Sequence, residues 1–238
     1  MSEEAQVLKL FGIPFNVGNC LSGFVAALIV FFLVFWLSRK VEMKPNGKQN
    51  VLEWAIDFTN GIVKSAIPDE EGKKYGVLAF TLFMFIFVSN QLGLIFQVNV
   101  GGITYIKSPT ASTATTLTLA FAVLLLSHLM GVMKFGFKGY VKNSYFSPMP
   151  ALFPINIIEQ FTNFLTLALR LYGNIYSGEV LLTVIYQQLG KAAAPWTLIP
   201  AFPLEMVWQG FSLIIGSIQA YVFVTLTMVY MSQKVEKE

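Results

Sequence analysis

The sequence predicts an all-α membrane protein. It has about five membrane-crossing helices and one amphipathic surface helix, and the last two helices form a long tilted hairpin. Three observations predict this. Apolar residues make up 55% of the 238, and only 12% are charged, about half the share of soluble domains. Mean hydropathy is +0.63. Apolar runs near the 20 residues that a span requires recur along the chain, and Lys and Arg collect on alternate connections between them.

The first span is expected over 21–37, closed by Ser38-Arg39-Lys40. The start, MSEEAQVLKLFG, lacks the basic region of a signal peptide, so this run is expected to be retained. Residues 49–67 mix Trp54, Ile56, Phe58, Ile62 and Val63 with Glu53, Asp57 and Lys64. That mixture is too polar to span and fits an amphipathic helix lying on the membrane surface. A second span follows at 75–96, then a loop, QVNVGGITYIKSP. A third is expected at 110–133, then a basic loop with Lys134, Lys138 and Lys142. Pro148, Pro150 and Pro154 punctuate the entry to a fourth apolar stretch, 154–189. KAAAPWTLIPAFP makes a turn, and 204–231 completes the set. Both final stretches exceed a perpendicular span, which tilt accommodates. The whole chain, 1–238, reads as a single integral membrane domain.

Five crossings with the N-terminus outside place Arg39, Lys40, Lys44, Lys48, Lys64, Lys73, Lys74, Lys134, Lys138, Lys142, Lys234 and Lys237 on the inner side. Only Lys9, Lys107 and Lys191 fall outside. The positive-inside rule therefore sets a cytoplasmic C-terminus. Composition also excludes functions. One cysteine, Cys20, and one histidine, His128, leave no disulfide framework and no cysteine or histidine metal cluster. A net charge of +3 carries no nucleic-acid signal. There is no phosphate-binding loop, HExxH motif or plausible Ser/His or paired-Asp site, so neither direct nucleotide binding nor catalysis is expected, and no cofactor.

Arg170 is the charge that the pattern does not absorb. Glu159, Asn163, Thr166, Arg170, Asn174 and Ser177 are spaced at three and four residues. At 100° per residue they share one face, over about 27 Å of helix axis. Glu179 points to roughly the opposite face. In the last helix Glu205, Gln209, Ser212, Gly216 and Gln219 repeat the spacing. A turn near Pro195 makes Arg170 and Gln219 nearly equidistant from it, so an antiparallel pair brings them to one depth. There the Gln219 amide oxygen is expected to accept from the guanidinium. Glu179 and Glu205 then lie in the outer half, Glu159 and His128 in the inner half. Two half-paths separated by Arg170 result. An intramembrane charge costs about 2.5–3.5 kcal/mol on insertion scales. No carboxylate on the facing helix matches Arg170 in depth, which points to a partner on another subunit.

RLYGNIYSGE (170–179), PINIIEQ (154–160) and IQAYVFVTLTMVYMS (218–232) resemble subunit a of the F-type ATP synthase membrane sector, in its bacterial form. The resemblance covers most of the chain. It implies rotary proton translocation: protons reach carboxyls on a ring of c subunits through one half-channel and leave through another. It further implies a stator, held by peripheral stalk b subunits in the plasma membrane. On this resemblance Arg170 separates the paths, with Gln219 beside it, Asn174 nearby and Glu179 as an outer relay. An arginine does not deprotonate in a protein, so it blocks a proton wire while attracting an ionised carboxylate. Many members carry His or Glu where this chain has Ser212. Glu205, two turns further out, or water is expected to substitute. Proton against sodium coupling depends on the ring, a different chain.

Blander roles stand beside these. Glu179 has a second role as a capping or pairing carboxyl within the bundle, Glu159 as a snorkelling acid, and Glu205 as an ordinary outer-end carboxyl. His128 serves as a satisfied core histidine, and Asn174, Asn90 and Gln91 as packing polars. The hydroxyl-rich run Ser112, Thr113, Thr115, Thr116 and Thr118 suits helix packing. The alternative function is a stand-alone secondary transporter or channel binding an anion at Arg170.

Overall fold

The computed structural model describes residues 7–10, 13–39, 42, 47–67, 70–95, 98–100, 103–106, 108–146, 153–185 and 198–235. Helices dominate. In order they are α1 (Val17–Leu37), α2 (Lys48–Ala66), α3 (Gly76–Ile95), α4 (Thr113–Tyr145), α5 (Phe153–Ile185) and α6 (Leu198–Val235). Short 3-10 turns at Glu70–Tyr75 and Pro109–Ala111 lead into α3 and α4. Among the described residues, four helical segments are long and apolar enough to cross a membrane: Gly18–Leu37, Glu71–Gly93, Thr113–Tyr145 and Pro203–Val235. At 33 residues α5 measures about 50 Å. Its polar stripe distinguishes it from those four.

Three boundaries differ from the sequence reading, each for a local reason. The basic segment after Met133 is helical, because α4 continues to Tyr145. Its Lys residues are good helix formers, and the break comes at Gly136, whose φ of 70° and ψ of 163° kink the helix. Second, α6 starts at Leu198 and carries Pro203 inside, so the Leu198–Pro203 part of the predicted turn is helical. Proline within the first turns of a helix lies near donors that lack an i−4 partner. Third, a hairpin of β3 (Val98–Val100) with β4 (Ile103–Ile106) stands where a loop was expected, and a further one, β1 (Val7–Leu10) with β2 (Ile13–Asn16), precedes α1. The helix end at Leu189 and the turn near Pro195 lie outside the described residues, as do Lys40, Lys44, Lys107, Lys191 and Lys237.

Contacts divide the chain into two compact units, 1–33, 84–115 and 171–220 in one, 34–83, 116–170 and 221–238 in the other. The division passes through α1, α3, α4, α5 and α6.

In the second unit, α2 buries Leu52, Thr59, Ile62 and Val63 and leaves Val51 and Trp54 exposed. Gln49 fastens its start. The Gln49 amide donates to Glu42 O at 2.9 Å and to Glu53 Oε1 at 2.6 Å, and accepts from Glu42 N at 2.8 Å. Lys48 Nζ sits 3.6 Å above the Trp36 ring, a cation–π contact. Phe58 packs its ring near those of Phe83 and Tyr221. Glu71 pairs with Lys134. The core holds Ala120, Val123, Leu167, Phe223, Val224 and Met228.

In the first unit, α1 is apolar all round and exposes Phe24, Phe31 and Phe32. Such a helix belongs in apolar surroundings. Buried Asn90, Leu171, Ile175, Gln219 and Ala220 bring α3, α5 and α6 together.

Candidate functional site

The α5 helix leaves a polar row uncovered inside a chain otherwise apolar enough for a membrane. Its covered side holds Leu167, Ala168, Leu171 and Ile175, at most 5% exposed, and one carboxyl, Glu179. Its uncovered face carries Glu159, Thr166, Arg170, Asn174 and Ser177, all exposed, with Asn163 half-buried. Leu, Ala and Phe at the intervening positions keep the segment helical. The i, i+4 and i, i+3 spacing keeps the polar groups in one row.

Within the first unit, Asn174 Nδ2 donates to Gln219 Oε1 at 2.8 Å. Gln219 is 3% exposed. The amide bonded to Gln219 is therefore Asn174's, one helical turn beyond the guanidinium expected from the sequence.

Towards Gly178 the same two helices form a half-open cavity of about 140 Å³, lined by Asn174, Ile175, Ser177, Gly178, Trp208, Phe211, Ser212 and Ile215. One water needs some 10–15 Å³ of such space, so several fit. Trp208 Nε1 donates to Gly178 O at 3.3 Å. Ser212 Oγ is buried with no hydrogen-bond partner among the described residues. A Cβ on Gly178 would stand 3.5 Å from that oxygen. The missing side chain at Gly178 is what keeps this end of the cavity open. Glu179, the next residue, is 8% exposed. Glu205 is half-buried on α6, two turns from Ser212.

The second unit holds the remaining candidates. Glu159 is exposed and His128 half-buried. His128 Nδ1 lies 2.8 Å from Leu124 O. A carbonyl only accepts, so Nδ1 carries the proton and Nε2 is left as the acceptor. The Tyr145 hydroxyl, 3.5 Å away, faces that nitrogen at the limit of hydrogen bonding. Among the described residues no group of three His, Cys, Asp or Glu is placed to hold a metal.

The structure thus groups Asn174, Gln219 and Ser212, with Glu179 next to the cavity wall. Trp208, Gly178 and Tyr145 were not foreseen as neighbours of the site. The signals available were the glycine itself and two aromatic residues whose polar atoms require partners when buried.

The profile of the ATP synthase A chain family matches residues 20–232. The chain belongs to that family. Among curated relatives, "ATP synthase subunit a" of Enterococcus hirae is 53% identical over 240 residues, covering 100% of both chains. That of Limosilactobacillus fermentum is 51% identical over 238 residues, again 100% of both. The Pediococcus pentosaceus protein of the same name is 50% identical over 236 residues, 99% of both.

Proposed function

We propose that this chain is the ion-conducting stator subunit of a rotary ATP synthase, a non-catalytic membrane subunit acting as one integral domain. It supplies two offset proton half-paths to the carboxyls of a c-subunit ring, and Arg170 keeps the paths apart. Family membership supports the assignment to the complex. The observation that carries the mechanism is the uncovered polar row of α5. A row of Glu159, Thr166, Arg170, Asn174 and Ser177 is uncovered within this chain. Lipid would leave the charges of Glu159 and Arg170 unsatisfied at a cost of several kcal/mol each. A ring bearing carboxylates, with water on either side of the contact, satisfies them.

In this reading a proton enters from the outer side past Glu205, Ser212 and Glu179. Ser212 does not titrate near neutrality, so there water relays the proton between carboxyls. The proton neutralises a ring carboxylate, which then enters lipid. A returning carboxyl releases its proton towards Glu159 and His128 on the inner side. Arg170 attracts the ionised carboxylate and, being permanently charged, passes no proton itself. Asn174 and Gln219 hold the two helices together beside it. α5 is the fifth crossing, accommodated by tilt. The helix α2 lies on the inner membrane surface, with Trp54 and Val51 towards lipid. The stator stands in the plasma membrane, with its N-terminus outside and its C-terminus in the cytoplasm, held by peripheral stalk b subunits.

The test is ATP-driven proton pumping in membrane vesicles carrying the whole complex, wild type against Arg170→Ala. Hydrolysis by the detached soluble sector serves as control. Loss of pumping with hydrolysis intact is expected. Fully coupled pumping would reduce Arg170 to a structural charge and leave the anion-binding transporter as the better reading.

A further inference from the structure

Within the first unit, a buried polar chain runs from the start of α4 through α3 to the backbone of α6. Ser108, Thr110 and Asn90 are each at most 1% exposed. Thr110 Oγ1 donates to Asn90 Oδ1 at 2.7 Å. Ser108 Oγ lies 2.7 Å from Thr110 Oγ1 and 3.0 Å from Ser89 O. Each hydroxyl has one proton. With Thr110's committed to Asn90, the Ser108 proton is shared between Thr110 and Ser89 O. Asn90 Nδ2 donates to Gly216 O at 2.9 Å. A carbonyl only accepts, so this bond fixes which end of the Asn90 amide faces α6. Gln91, the next residue, reaches Leu213 O at 3.3 Å and Ser217 Oγ at 3.2 Å.

These bonds grip α6 at 213–217, one turn before Gln219. Gly216 makes the grip possible. A Cβ there would stand 3.3 Å from Asn90 Cβ and 3.9 Å from Ile175 Cδ1, so α3, α5 and α6 meet at this glycine. Gly93 makes the other close approach, for a Cβ on it would fall 2.2 Å from Ser108 Cβ and 2.7 Å from Ser108 N. The chain of hydroxyls and amide is thus held at both ends by close approaches, one at Gly93 that excludes any side chain and a tight one at Gly216. The hydrogen bonds run unbroken from Ser108 through Thr110 and Asn90 to Gly216, and a connected buried polar network favours one arrangement.

We propose that Asn90 is a positioning residue for the ion path. By hydrogen-bonding the α6 backbone at Gly216, it sets the height and rotation of the face carrying Ser212 and Gln219, and so keeps Gln219 on Asn174. The functional part rests on the stator reading; the positional part does not. Asn90 itself touches no translocated ion.

Two readouts test it in the assembled complex, with Cys20→Ser throughout. Position is read by disulfide formation between Gly178→Cys and Ser212→Cys, which face each other across α5 and α6. Function is read by ATP-driven pumping, with ATP hydrolysis as control, in chains without those cysteines. Asn90→Leu keeps the volume and removes both hydrogen bonds. Asn90→Asp keeps the shape and the acceptor and, when ionised, removes the donor. Both are expected to lower the disulfide yield at least threefold and pumping about tenfold, with hydrolysis retained. Unchanged disulfide yield with lost pumping would overturn the proposal, since Asn90 would then act on the path directly. Unchanged yield and pumping would overturn it too. Should Asn90→Leu fail to assemble, Thr110→Val removes only the hydroxyl that holds the amide; a two- to threefold fall in yield is expected, and none would overturn the proposal. The disulfide result stands whichever way Arg170→Ala behaves, so failure here is distinguishable from failure of the stator reading.

Discussion

Asn174 and Gln219 are joined by an amide–amide hydrogen bond of 2.8 Å between α5 and α6, one turn past Arg170 on the same helix. The bond occupies one lone pair of the Gln219 oxygen, and an amide oxygen has two. Gln219 thus locks the helix pair and still has acceptor capacity.

An interhelical bond of this kind in a membrane protein contributes about 0.6–2 kcal/mol. A double-mutant cycle with Asn174→Leu and Gln219→Leu, read by thermal unfolding of the purified complex, is expected to give a coupling energy in that range. Each single change is expected to lower pumping severalfold. Additive effects would show that the two amides do not support each other.

Arg170→Lys preserves the charge but not its chemistry. Lysine is a compact ammonium whose pKa falls readily in a low-dielectric site, whereas the guanidinium stays charged and offers a rigid fork to a carboxylate. ATP-driven pumping in vesicles is expected to fall below about a tenth of wild type, with hydrolysis by the soluble sector unchanged. Pumping at the wild-type rate would mean that any positive charge suffices there.

The legible parts of the fold were those governed by period and length. The polar row from Glu159 to Ser177 sits on one face of α5 because 3.6-residue periodicity is a property of the local chain. The helix Lys48–Ala66 was readable from its mixed composition for the same reason. What escaped depended on events outside the period. The hairpin Val98–Val100 with Ile103–Ile106 was signalled by alternation around Gly101-Gly102, yet in an apolar chain that alternation is short and weak. The continuation of α4 beyond Met133 turned on one backbone conformation at Gly136. The bond between Asn174 and Gln219 joins residues 45 positions apart, beyond what local periodicity reports. Asn90 was visible as a packing polar, but its bond to Gly216 joins residues 126 positions apart.

Glu179 and Glu205 separate by burial. Glu179 is 8% exposed and follows the cavity-lining Gly178, while Glu205 is half-buried two turns from Ser212. In the proposed outer path the first is hard to replace and the second is open to substitution by water. Glu179→Gln is expected to lower the initial pumping rate at least tenfold, and Glu205→Gln by no more than about twofold. The reverse order would move the outer relay to α6.

Three glycines make a set that separates steric from conformational cost. At Gly93 an added methyl meets Ser108 backbone within 2.7 Å, and forced overpacking costs about 1–3 kcal/mol. At Gly136 nothing lies within 4 Å of an added Cβ, but φ is +70°. With ψ at 163° the backbone occupies a region essentially reserved for glycine, at a cost of about 1–3 kcal/mol for other residues. At Gly61 in α2 nothing lies within 4 Å and φ is ordinary, so a methyl restricts the unfolded chain and favours helix by about 0.5–1 kcal/mol. Thermal unfolding of the purified complex is therefore expected to fall for Gly93→Ala and Gly136→Ala and to rise or hold for Gly61→Ala. Repacking next to Gly93 is expected to separate the first two. Ser108→Gly removes the facing Cβ and should relieve part of the Gly93→Ala loss, while no neighbouring truncation relieves Gly136→Ala. Relief of Gly136→Ala by such a truncation would show that the kink is held by packing and not by its own backbone.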